Sequence, residues 1–142
     1  MDIAADACFP HGMDILHQIV VFDAAELAPE SAFWAGVLDG EVETEDDWHM
    51  VVVDGRPRVG VQLAPDHVAP DWPGNTVPQQ IHMDLYVPEF APAHERVTVL
   101  GARLLLTAQD ATPNADFQVY ADPAGHPFCL CIPTPPDQTR DA

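Results

Sequence analysis

Three side chains at alternating positions, His82, Asp84 and Tyr86, are of the types from which acid–base chemistry is built. In an extended strand successive side chains point to opposite faces, so these three share one face. Ile81, Met83, Leu85 and Val87 share the other and are expected to pack under a helix. A neutral imidazole takes a proton near neutral pH, and a neighbouring carboxylate orients the ring or stabilises its charged form. That makes His82 the candidate base, Asp84 the orienting group and Tyr86 the donor to a developing oxyanion. Gln62 alternates against Val61 and Leu63, and Cys129 against Phe128 and Leu130, so both are candidates for the same concave side. His17 can point inward from the first strand, and Trp48, sharing a strand face with Met50, can line the pocket or the core.

The elements that must hold these groups repeat. Ile15 to Phe22 is rich in β-branched residues and predicts a strand. Pro29, Glu30 and Ser31 read as a helix start, Phe33, Val37 and the Trp34/Leu38 pair give helical spacing, and Gly40 reads as the stop. Extended segments follow at Glu41 to Glu43, Trp48 to Val53 and Arg58 to Leu63, with Asp54-Gly55 as a hairpin turn. The second half repeats the order. Gln80 to Val87 predicts a strand, and Phe90, Ala93, Val97 and Leu100 mark one face of a helix that stops at Gly101. Arg103 to Thr107, Phe117 to Tyr120 and Phe128 to Ile132 predict strands, with the turn Asp122-Pro123-Ala124-Gly125 before the last.

The reading is one domain over residues 1–142: a first module at about 14–64, a proline-rich linker at 65–79, a second module at about 80–132 and a loose tail at 133–142. Trp72 in that linker reads as an anchor or as a cover for the cavity mouth.

Composition narrows the function classes. Five basic and 23 acidic residues give a formal charge of -18, which would repel a phosphate backbone, so nucleic acid is not an expected partner. The cluster Glu41, Glu43, Glu45, Asp46 and Asp47 reads as a solvated connection. No apolar run approaches the roughly 18 residues of a membrane span, and no basic segment precedes an apolar stretch as in a signal peptide. The three cysteines, Cys8, Cys129 and Cys131, make no disulfide framework. Together these features predict a cytoplasmic protein with no membrane partner.

The duplicated βαβββ order, filled with Val20-Val21-Phe22-Asp23, Phe33-Trp34-Ala35-Gly36-Val37-Leu38, Pro78-Gln79-Gln80-Ile81-His82-Met83-Asp84-Leu85 and Asp116 to Leu130, resembles the vicinal oxygen chelate superfamily of glyoxalase-like and bleomycin-resistance-like proteins. The resemblance suggests the actinobacterial-type glyoxalase-like branch. The resemblance implies an α+β fold of two tandem βαβββ modules, with curved mixed sheets around a cavity and helices outside. It also implies a bacterial homodimer. In the metal-dependent members the ligands come from the first and last strands of each half. Those positions here are Ile19, Gln62, His82 and Cys129. Only His82 is a usual ligand; Ile19 cannot bind metal, and Cys129 stands where a carboxylate is usual.

The expected function is therefore binding of a small organic molecule in an inward-facing cavity, with no cofactor. The alternative is a lyase, isomerase or dioxygenase using His82, either by acid–base chemistry or with a divalent metal such as zinc or iron. A metal site would bring His82, His17 and Asp84 each within about 2 Å of the ion, and a Cys129 thiolate would favour zinc.

Overall fold

The computed structural model describes residues 12–111 and 115–133. Strand β1 (Val20–Ala24) leads to helix α1 (Leu27–Leu38), followed by β2 (Glu41–Thr44), β3 (Trp48–Val53) and β4 (Arg56–Leu63). The second half runs β5 (Met83–Tyr86), α2 (Phe90–Leu100), β6 (Arg103–Leu106), a short helix α3 (Ala108–Ala111), β7 (Phe117–Ala121) and β8 (Pro127–Cys131). Each half forms one four-stranded sheet, in the orders β1-β4-β3-β2 and β5-β8-β7-β6. In each the first and last strands pair in parallel and the others antiparallel, giving two mixed sheets of the same topology.

The turn at Asp54-Gly55 forms as its sequence requires, with φ of 51° and 76°. Both central residues of a tight type I′ hairpin need positive φ, which an Asp-Gly pair supplies cheaply. Several boundaries differ from expectation, among them β5, which begins at Met83 rather than Gln80. Helix α1 begins at Leu27, ahead of Pro29, and Asp39 rather than Gly40 takes the left-handed cap, at φ 55°. The first strand begins at Val20, where its parallel pairing with β4 starts, so Ile15 and Leu16 lie 63% and 91% exposed. β-Branched composition marks a segment able to extend, but only a neighbouring strand makes it part of a sheet. Helix α3, between β6 and β7, has no counterpart in the first half.

One core joins the halves. Phe22, Phe33, Trp34, Val51 and Val59 from the first pack with Val97, Tyr120, Phe128 and Leu130 from the second. Trp34, wholly buried, stacks on Phe22 at 5.1 Å and meets Phe128 edge-on at 5.4 Å. Offset and edge-to-face contacts of this kind add roughly 0.5–1.5 kcal/mol per pair beyond the area they bury. The core takes the helix-facing side of both sheets, so the opposite faces are left for other uses. Among the described residues no helix is long and apolar enough to cross a membrane.

Candidate functional site

In β5, Met83 and Leu85 pack against the core, whereas Asp84 and Tyr86 point away from it. His82 continues the outward set from the position just before the strand. β8 pairs with β5 in the register Asp84↔Cys129 and Tyr86↔Cys131. Phe128 and Leu130 enter the core, so the two thiols share the face of His82 and Asp84. The alternation read from the sequence holds through this strand pair.

These groups line one cavity of about 370 Å³, together with Trp72, Asp116, Phe117 and Ile132. His82 Nε2 lies 3.3 Å from Asp84 Oδ1, so the carboxylate is placed to stabilise a positive charge on the ring. The indole of Trp72 stacks on the His82 ring at 4.9 Å. The linker sets Trp72 there by closing on itself, where the Asp71 amide donates to the Val77 carbonyl at 2.7 Å. It is also fixed to the second module, where His67 Nε2 bonds the Ala124 carbonyl at 3.0 Å. Trp72 packs at the same time beside Val119, Cys129 and Cys131, so it anchors the linker and lines the cavity at once.

Burial, reinforced by the Asp84 carboxylate, pushes the Cys129 thiol up to about 12. Burial together with Asp84 and Asp116 pushes Cys131 up to about 11. Neither thiol is an activated nucleophile in this state, since a nucleophilic cysteine needs its pKa lowered. Tyr86 is 68% exposed and sits at the rim.

Of the residues singled out in the sequence, His82, Asp84, Tyr86 and Cys129 come together; His17, Gln62 and Trp48 do not join them within one chain. His17 precedes β1 and lines a different depression, beside Gly55 to Arg58. Gln62 lies on the first sheet, opposite Asp23 on one side and Trp48 on the other. Trp48 lies across Gly60, where a Cβ atom would stand 2.4 Å from its ring. A side chain there would have to displace the indole, which occupies the space over that backbone.

The two registers also align the halves. Val20↔Val59 corresponds to Met83↔Phe128, which matches Ile19 to His82, Gly60 to Cys129 and Gln62 to Cys131. The second half thus carries imidazole and thiols where the first carries Ile19, Gly60 and Gln62. The sequence reasoning missed Asp116, Phe117, Cys131 and Ile132 as lining residues. Cys131 was within its reach, because it lies two positions from Cys129 on the same strand face.

Whether a metal fits can be judged from the donors. The four-position arrangement implied by resemblance does not fit within this chain, since Ile19 offers no donor and Gln62 does not line the His82 cavity. A local set does fit. One ligand atom each from His82, Asp84 and Cys129 lies within 4.8 Å of the others. Imidazole, carboxylate and thiolate are all ligands zinc accepts, and three protein ligands leave a position open.

The arrangement of two parallel-edged βαβββ sheets around one core defines a glyoxalase-like protein. The chain belongs to the glyoxalase-like domain family, whose model matches residues 19–131. No curated protein sequence matches the chain. Its fold is similar to that of a glyoxalase-related enzyme from Fulvimarina pelagi, at TM-score 0.60 and 17% identity over 84% of this chain and 89% of that one. It is also similar to the fosfomycin resistance protein FosX from Listeria monocytogenes, at TM-score 0.61 and 12% identity over 86% and 96%. FosX of that organism complexed with Mn(II) and sulfate ion matches at TM-score 0.57 and 15% identity over 86% and 92%.

Proposed function

We propose that this chain binds a small organic molecule in the cavity around His82. The observation that carries the reading is the convergence of His82, Asp84, Tyr86 and Cys129 on one cavity with Trp72 stacked beside them. An apolar-walled concavity with a few placed polar groups is the usual form of a ligand site. If the bound molecule reacts, His82 is the base, Asp84 stabilises the imidazolium and Tyr86 donates to the developing oxyanion. The outward faces of both sheets are uncovered by the shared core, so a homodimer would place a second copy against them. That would allow Gln62 or His17 of one copy to approach the His82 cavity of the other.

A fragment screen followed by NMR tests this reading. Ligands of this cavity shift the His82 imidazole and Trp72 indole signals, and lose affinity at least tenfold in His82→Ala. If every bound fragment leaves both signals unmoved, the cavity is not the site.

The donor set favours a second reading, in which a divalent metal is held by His82, Asp84 and Cys129. Such an ion would act as a Lewis acid, polarising an oxygen of the ligand. His82 would then be a ligand rather than a base, and binding would require the Cys129 proton to leave. Cobalt(II) titration separates the two readings. A thiolate-to-metal absorption band that disappears in Cys129→Ser establishes the metal; its absence with the wild-type protein leaves the metal-free site.

A further inference from the structure

The charges around the cavity go further than its shape. Asp84 and Asp116 are the two carboxylates lining it, and among the described residues no Arg or Lys lines it. The described arginines all lie elsewhere: Arg56 and Arg58 in β4, Arg96 on α2 against the Gly36 carbonyl, and Arg103 in β6. The remaining described side chains of the cavity that could carry charge are His82, Tyr86 and the two thiols, so two carboxylates face a single group able to carry a positive charge. The walls are Trp72, Phe117 and Ile132. A recess with negative charge and aromatic walls attracts cations twice, by direct Coulomb attraction and through ring quadrupoles.

We infer that the molecule bound here is an organic cation, an amine or quaternary ammonium group carried on a planar or apolar body. The inference rests on the cavity being the binding site. Its apolar body would lie against Trp72 and Phe117, and its cationic end toward Asp84 and Asp116. Anionic ligands are disfavoured for the same reasons: nothing lining the cavity would offset a phosphonate or sulfonate, and the field of a chain at -18 repels it.

The test is a matched pair of probes titrated into the full-length protein as purified, benzyltrimethylammonium and benzenesulfonate, followed by calorimetry and the Trp72 indole signal. The expected result is that the cation binds at least tenfold more tightly than the anion. The double substitution Asp84→Asn with Asp116→Asn should weaken the cation by about tenfold or more. An equal charge change on the exposed β2 edge and the loop after it, Glu43→Gln with Glu45→Gln, should weaken it less than twofold, which separates the cavity from the diffuse field. Circular dichroism checks that both variants fold. Equal or tighter binding of benzenesulfonate at the Trp72 signal, or equal losses in the two double variants, overturns the charge preference and leaves the cavity standing. If neither probe moves the Trp72 signal, the inference and the cavity reading fall together.

Discussion

The indole N–H of Trp34, on the helix of the first half, donates at 3.0 Å to the carboxyl of Asp122, in the last turn of the second. Both side chains are buried. The same carboxyl accepts the His126 amide at 2.8 Å, so Asp122 shapes its own turn while tying the halves together. Trp34→Phe keeps an aromatic ring in the core, removes the donor and leaves a small cavity where the rest of the indole stood. Losing a buried hydrogen bond of this kind costs about 1–3 kcal/mol. Urea denaturation should show that loss with the slope unchanged; an unaltered midpoint would mean the bond contributes nothing.

Glu30 lies beside that pair, 1% exposed, with Oε1 accepting the Ala124 amide at 3.2 Å and Oε2 without a hydrogen-bond partner. Burial, and next the Asp122 carboxyl, push it from 4.5 up to about 10. Between those values the folded chain keeps a proton that the unfolded chain has released, so stability falls as pH rises through that window. Glu30→Gln preserves the shape and removes the titration. It should stabilise the protein by about 1–3 kcal/mol at pH 8 and much less at pH 5, with a flatter pH slope. Thermal denaturation at the two pH values checks this, and a variant less stable than wild type at pH 8 would refute it.

The thiols give a chemical readout of the cavity. With Cys129 at about 12 and Cys131 at about 11, little thiolate exists at pH 8. Site-resolved alkylation of the folded protein by iodoacetamide should therefore run at least tenfold more slowly at these residues than in the unfolded chain. Asp84→Asn removes a charge that opposes thiolate formation at both positions and should speed labelling severalfold. Labelling of Cys129 at the unfolded rate would show that the cavity does not shield it.

Gly60 predicts a steric cost. A methyl group there would stand 2.4 Å from the Trp48 ring, so Gly60→Ala must displace the indole. Overpacking of this kind costs about 1–3 kcal/mol. A double-mutant cycle with Trp48→Ala should recover most of the loss. Strict additivity would show that the two residues do not compete for the same space.

Most of the fold was legible because strand alternation is clear here and turn and helix-end residues punctuate it. Alternation marked β5 and β8 well enough to put His82, Asp84, Tyr86 and Cys129 on one face, and the Asp54-Gly55 turn located its hairpin. What local pattern could not supply was partnership. It gave Ile15 to Ile19 strand character without knowing that no strand among the described residues pairs with them, and so extended the alternation back to His17. Nor could it tell that the outward faces of the two sheets belong to separate surfaces within one chain, which parts Gln62 from His82. Asp116 and Ile132 flank strands rather than lie in them, and only the paired sheet brings them to the cavity rim. Trp72 sits in a segment with no period at all, and its place beside His82 depends on hydrogen bonds formed after the linker folds.

The indole of Trp48 lies over the Gly60 backbone as a guest tethered to its own sheet. Removing the tether should leave a hole with the outline of a free aromatic ring. Indole added from solution would then be expected to rebind in Trp48→Gly and restore part of its stability, whereas the wild-type face, already occupied, would ignore it.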